Sequence, residues 1–278
     1  DHTGRAIRRI FRPGFLRKVR RTSVASHYGI KTLLYGTLLP GPDIGAKCAS
    51  ILRMVRDEGF ETGIHAWDHV GWQDGVNDAP DEWIARQVTN AAQRYQNIFG
   101  AAPKTHGAAG WQMPAAALRQ LDQMGFDYCT DGRTQMRVAQ AHYPVVRGEI
   151  FSCPQLPTNL PTMDELMGAN GIGESNVHER ILELTAGASL DSDSWRPNEC
   201  HVFTLHAELE GQRLLPAFER LLAGWRSLGY ELVSTRSLFE HQARNALPYF
   251  NTAAASVPGR SGTLMMATSQ WPSGGQIQ

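Results

Sequence analysis

Apolar positions change rhythm along this chain, from helical spacing to short unbroken runs and back. Ile44, Ile51, Leu52 and Val55 fall on one helical face, with Asp43 placed as N-cap and Gly59 as stop. The run over 60–64 predicts a short strand. Residues 81–99 predict the next helix, with Trp83, Ile84, Val88, Tyr95 and Ile98 inward and Gly100 ending it. A strand near 105–108 precedes a helix from Pro114 that turns Leu118, Leu121 and Met124 inward, and a strand follows over 126–130. After a loop-rich middle, Asn176-Val-His-Glu179 resembles a capping box opening a helix over 177–186. The pattern then expects a strand over 201–205, a helix over 212–228, a strand over 230–234 and a last helix over about 236–246. Three joins share one design, Gly59-Phe-Glu61, Gly125-Phe-Asp127 and Gly229-Tyr-Glu231. In each, glycine is expected in the left-handed position that closes a helix before an aromatic residue enters a strand.

Alternating helices and short apolar strands define an α/β chain with a parallel sheet. No G-x-G-x-x-G or Walker sequence follows any of the strands, which favours a barrel whose chemistry sits at the strand C-terminal ends. Only five or six strands can be counted, so the first strand or strands are expected upstream of Asp1. Three regions are expected: a basic amphipathic segment over 1–42, a catalytic domain over 43–248 and a disordered tail over 249–278 rich in Ala, Ser, Gly and Gln.

Composition adds one asymmetry. The 278 residues carry 27 basic and 27 acidic side chains, and 42% are apolar, enough for a real core. Residues 1–42 nevertheless hold nine Lys and Arg against Asp1 alone, a net of +8 that leaves −8 for the remaining 236. With Ile7, Ile10 and Phe11 on one face, this segment suits an anionic membrane surface. Aromatic residues for stacking on bases are sparse there, so no nucleic acid partner is expected. No run is long enough to span a membrane and no secretory signal is visible. Cys48, Cys129, Cys153 and Cys200 form no C-x-x-C pair and are expected as reduced, mostly buried thiols of a cytosolic protein.

Four clusters could carry chemistry. His65-Ala-Trp-Asp-His69 follows a predicted strand, and a helical turn over 65–69 would aim both imidazoles at one metal ion. The alternatives are ordinary polar loop residues or the H-x-x-E-H pattern of a metallopeptidase, with Asp in place of Glu. Phe203-Thr-Leu-His206 ends another strand, so His206 is either a core histidine or a general acid, and Glu208 and Glu210 follow on the same loop. His106-Gly-Ala-Ala-Gly-Trp111 lets backbone approach a ligand closely, or is a tight turn with a core tryptophan. Asp131-Gly-Arg133 orients a ligand histidine, binds substrate or simply turns the chain.

In series, His65-x-x-x-His69, Ala108-Ala-Gly-Trp111, Cys129-Thr-Asp-Gly132 and Phe203-Thr-Leu-His206 resemble the later motifs of the polysaccharide deacetylase (NodB-homology) family. The resemblance implies a distorted (β/α)7-type barrel, lacking its first strand or strands in this chain. It also implies a divalent metal ion (zinc, cobalt or manganese) bound by one aspartate and two histidines, here His65 and His69, with His206 as general acid. The family's first motif, an aspartate pair, has no match here. The wording Ala-Ala-Gly-Trp is that of the deformylase branch. That branch implies hydrolysis of a polyprenyl-phosphate-linked formamido sugar in lipid A modification with aminoarabinose, at the cytoplasmic face of the bacterial inner membrane. Trp111, Asp131, Arg133 and Glu208 are expected to contact substrate. The alternatives are deacetylation of another N-acetyl sugar and a catalytically inactive sugar-lipid binding fragment.

Overall fold

The computed structural model describes residues 35, 41–186, 199–260 and 262–271. The basic stretch over 1–34 and 36–40, and the last residues over 272–278, lie outside the described residues. Asp43 caps α1 (Ile44–Lys47) by accepting from the Ala46 N–H, and α2 (Ala49–Asp57) follows. The shared apolar face lies largely at the surface. Ile44, Ile51, Met54 and Val55 are exposed, and no residue of α1 or α2 is buried. Instead α2 is tied by Arg53 and Arg56, which donate to the carbonyls of Ile98 and Phe99 at 3.0 and 2.9 Å. Guanidinium groups are favourable there, against the negative end of a helix.

Helix α3 (His69–Gly75) leads to α4 (Asp81–Phe99), then β1 (Thr105–His106), α5 (Ala115–Met124) and β2 (Tyr128–Cys129). Gly59, Gly125 and Gly229 all have positive φ, as the three joins required. The extended segments run parallel in the order Ile64, β1, β2, Gln155, joined by bonds such as Ile64 N–H to Thr105 O and Thr130 N–H to His106 O. Among the described residues this arc does not close. The strands expected over 201–205 and 230–234 form no ladder, and Leu205, Leu232 and Val233 are exposed. An apolar run alone does not make a ladder, which needs a neighbour of matching register. The core lies between the arc and α4 and α5, where Ile64, Trp72, Ile84, Leu118, Leu121 and Phe126 meet.

A second sheet begins with β3 (Arg133–Thr134), β4 (Tyr143–Val146) and β5 (Glu149–Ile150). Helices α6 (Met163–Leu166), α7 (Val177–Ala186), α8 (Leu215–Ser227) and α9 (Thr235–Gln242) follow. Met163, Ile181, Leu214, Leu221 and Trp225 pack together as another apolar cluster. The chain then returns as β6 (Tyr249–Ala255) and β7 (Leu264–Gln270), giving the order β3-β7-β6-β4-β5. This overturns the expected disorder from residue 249. Phe250 and Thr252 alternate inward and Leu264 to Ala267 are buried, so this segment carries enough apolar surface to pack as a sheet.

His142 is buried with its ring edge-on to Phe250, the centroids 5.1 Å apart. Burial pushes its pKa down to about 4, and the Gln140 carbonyl opposes this only in part. The unfolded chain takes up that proton near pH 6.5. The site therefore contributes full stability above about pH 6.5 and loses it as pH falls towards 4, by about 3 kcal/mol. Urea midpoints measured across that window should fall, and His142→Gln should flatten that part of the profile.

Candidate metal and acid–base site

The carboxyl ends of the parallel segments gather the chemistry-bearing residues on one side, where α/β sheets place their ligands. His65 directly follows Ile64, Gly107 follows β1, and Thr130 and Asp131 follow β2. Residues 65–69 do not form the helical turn the spacing suggested. Ala66 takes a left-handed φ of +63°, Asp68 is extended, and helix α3 begins only at His69. Such a residue costs about 1–3 kcal/mol and persists where its surroundings dictate it. Here Asp68 caps α3 through the Gly71 N–H at 2.9 Å and donates its own N–H to Gln87 on α4 at 2.9 Å. The resulting bend still brings the two rings together, with centroids 5.0 Å apart and planes at 54°. The long helix that an H-x-x-E-H peptidase would need is absent at this motif.

His65 Nδ1 lies 2.6 Å from the Gly107 carbonyl oxygen. A carbonyl only accepts, so Nδ1 carries the proton and Nε2 keeps a lone pair for a metal. Loss of hydration on the protein side of the ring lowers the His65 pKa. The Gly107 carbonyl opposes this, and the fields of His106, Asp131 and His206 contribute less. The neutral imidazole this favours is the ligating form. His206 is therefore within electrostatic reach of His65, although about 140 residues separate them. Its Nδ1 is buried with no partner among the described residues, and Glu208 beyond it is exposed.

Beneath this face, His106, Cys129 and Asp131 are buried with ligand atoms within 4.8 Å of one another. They suit a metal less well than His65 and His69. Asp131 accepts from His106 Nδ1 at 2.5 Å and from Gln155 Nε2 at 3.0 Å, so both its oxygens are engaged. Burial pushes the Cys129 thiol well up, away from the thiolate a metal requires, and its Sγ lies 3.4 Å from that of Cys153. None of the four cysteines forms a disulfide, Cys129 and Cys153 being buried and Cys48 and Cys200 half-buried.

Three residues expected to touch substrate lie in the interior. Asp131 is fully buried. Arg133 pairs with Glu165 at 3.0 Å and donates to Leu160 O at 3.0 Å. Trp111, also buried, has the Arg133 and Arg260 guanidinium carbons each 4.7 Å from its ring centroid. Arg260 comes from the β6–β7 hairpin, which sequence reading dismissed, and it also reaches Glu165 at 3.3 Å. At its neighbour Gly259, with φ +83°, any Cβ would collide with the Glu165 carbonyl. Glu210 was read only as the second carboxylate of a loop. It is buried, and its Oε2 accepts the His206 N–H at 2.7 Å. The available signal was its place four residues after His206.

No family model matches the chain. Among solved structures, a putative polysaccharide deacetylase from Mycobacterium smegmatis shares the fold, with a TM-score of 0.53 at 14% identity over 83% of this chain and 78% of that one. The chain thus has a mixed α/β fold like that of this deacetylase. Over 242 residues it is 34% identical to the probable 4-deoxy-4-formamido-L-arabinose-phosphoundecaprenol deformylase ArnD of Shewanella sediminis, covering 87% of this chain and 73% of that one. A protein of the same name from Wigglesworthia glossinidia brevipalpis is 26% identical over 263 residues, 94% and 86% of the two chains. The chain belongs to this deformylase family and so to the amide hydrolases.

Proposed function

We propose that this protein removes the formyl group from 4-deoxy-4-formamido-L-arabinose carried on undecaprenyl phosphate. Water and the formamide yield formate and the 4-amino sugar, still attached to its lipid. The names of its relatives support the substrate, and the juxtaposed rings of His65 and His69, with centroids 5.0 Å apart at the carboxyl end of the parallel arc, support the chemistry. In this reading the open arc is part of a (β/α) barrel with its site at the strand ends.

His65 and His69 would hold a divalent cation, which supplies Lewis acidity for the formyl oxygen and for a water molecule. Gly107 fixes the His65 tautomer so that Nε2 faces that position. His206 delivers a proton to the departing nitrogen, without which the C–N bond would have to expel an unprotonated amide anion. Trp111, Arg133 and Asp131 brace the floor, and Glu208 stands exposed beside His206. No helix among the described residues is long and apolar enough to cross a membrane. The basic stretch over 1–42 gives the lipid-linked substrate its setting, each cation worth about 1 kcal/mol at an anionic cytoplasmic leaflet. A role in lipid A modification with aminoarabinose, and hence in polymyxin resistance, follows from that substrate.

Calorimetric titration with zinc tests the site. One equivalent is expected per chain, lost in both His65→Ala and His69→Ala. Binding that survives these changes but disappears in Cys129→Ser would move the metal to the buried cluster and end this reading.

A further inference from the structure

After His206 the chain winds a single π-helical turn, Leu209–Arg213. Such turns are rare and recur at functional sites. This one carries Glu210 back beneath His206, while Glu208, two residues earlier, remains exposed. Glu210 is 1% exposed, and its Oε2 accepts the His206 backbone N–H at 2.7 Å. Its other oxygen, Oε1, and the imidazole Nδ1 of His206 are both buried with no hydrogen-bond partner among the described residues. Two unpaired polar atoms on directly bonded residues are costly in the resting protein and call for an explanation.

We propose that Glu210 is the positioning residue for His206, clamping its backbone N–H and holding a buried carboxyl within electrostatic reach of its imidazole. The inference rests on the reading of His206 as general acid. The charged groups facing Glu210 are His206 on its own turn and Asp164 on α6. Arg213, at the end of the turn, is paired with Glu174. Burial pushes the Glu210 carboxyl up. The N–H groups of His206 and Glu210 and the His206 imidazole pull it down, and Asp164 adds to the rise. The attraction between Glu210 and the His206 imidazole acts on both groups, and Glu210→Gln removes it.

Formate release from a formamido sugar carried on polyprenyl phosphate provides the test. Glu210→Gln keeps the shape and the acceptor for the His206 N–H but loses the charge. It should lower kcat about tenfold, the equivalent of one pKa unit, leave KM within about twofold, and move the alkaline limb of the kcat/KM profile to lower pH. Glu210→Asp keeps the charge on a shorter arm, so it should hold the limb in place and recover part of kcat. A fully active His206→Ala would remove the underlying acid assignment. An inactive His206→Ala beside a Glu210→Gln that matches the wild type in kcat and profile would overturn the role of Glu210 alone. Failure of both Glu210 variants to fold would make the residue structural only, and would overturn it equally.

Discussion

Alanine at His65 is expected to reduce formate release about a thousandfold or more and to abolish stoichiometric zinc uptake. Lewis-acid activation is worth several kcal/mol, and about 4 kcal/mol corresponds to that factor. The effect should exceed that of any single change around the site, because His65 is held from two directions. Ile64 fixes its backbone in the parallel arc, and the Gly107 carbonyl fixes its ring. Adding zinc to the variant should not restore the rate. A variant that lost metal yet kept full activity would show that amide cleavage here needs no cation at these imidazoles.

The second large effect is on stability. Asp131→Ala should cost about 3–5 kcal/mol, a large share of the total for an ordinary domain. Its two oxygens are the acceptors for His106 Nδ1 and Gln155 Nε2, all within a dry interior. Deleting the carboxylate leaves both donors buried without an acceptor. Asp131→Asn keeps one acceptor and should cost distinctly less. Urea denaturation of the two variants gives the comparison, and a loss below about 1 kcal/mol for alanine would mean that water fills the gap.

The long amphipathic elements were legible in the sequence. The helices expected over 81–99 and 177–186 coincide with Asp81–Phe99 and Val177–Ala186, because sustained helical spacing leaves few other ways to bury the same side chains. The helix expected from 212 starts at Leu215, since the preceding residues wind as a π turn that no periodicity announces. Apolar runs at 201–205 and 230–234 were recognisable, but whether they gain a ladder depends on partners far along the chain. The tail was misread because composition was weighed above the inward alternation of Phe250 and Thr252.

Spacing and expected strand ends singled out His65, His69 and His206; the first two rings do lie together, through a left-handed bend rather than a helical turn. Trp111, Asp131 and Arg133, expected to contact substrate, are buried and engaged with other side chains. A buried ion pair and a substrate-facing one use the same residue types at the same strand ends, so sequence does not distinguish them. Arg260 carried no local signal at all. Its role follows from where the hairpin lands.

That hairpin has a practical bearing on how the protein is cut for expression. A fragment stopped at residue 248, where the compositional bias begins, would leave β3 and β4 with raw edges and strip one guanidinium lid from the Trp111 indole. Unsatisfied edges of that sort invite sticking between copies. Poor yield from such a fragment would reflect the choice of end point and not any frailty in the half that bears the histidines.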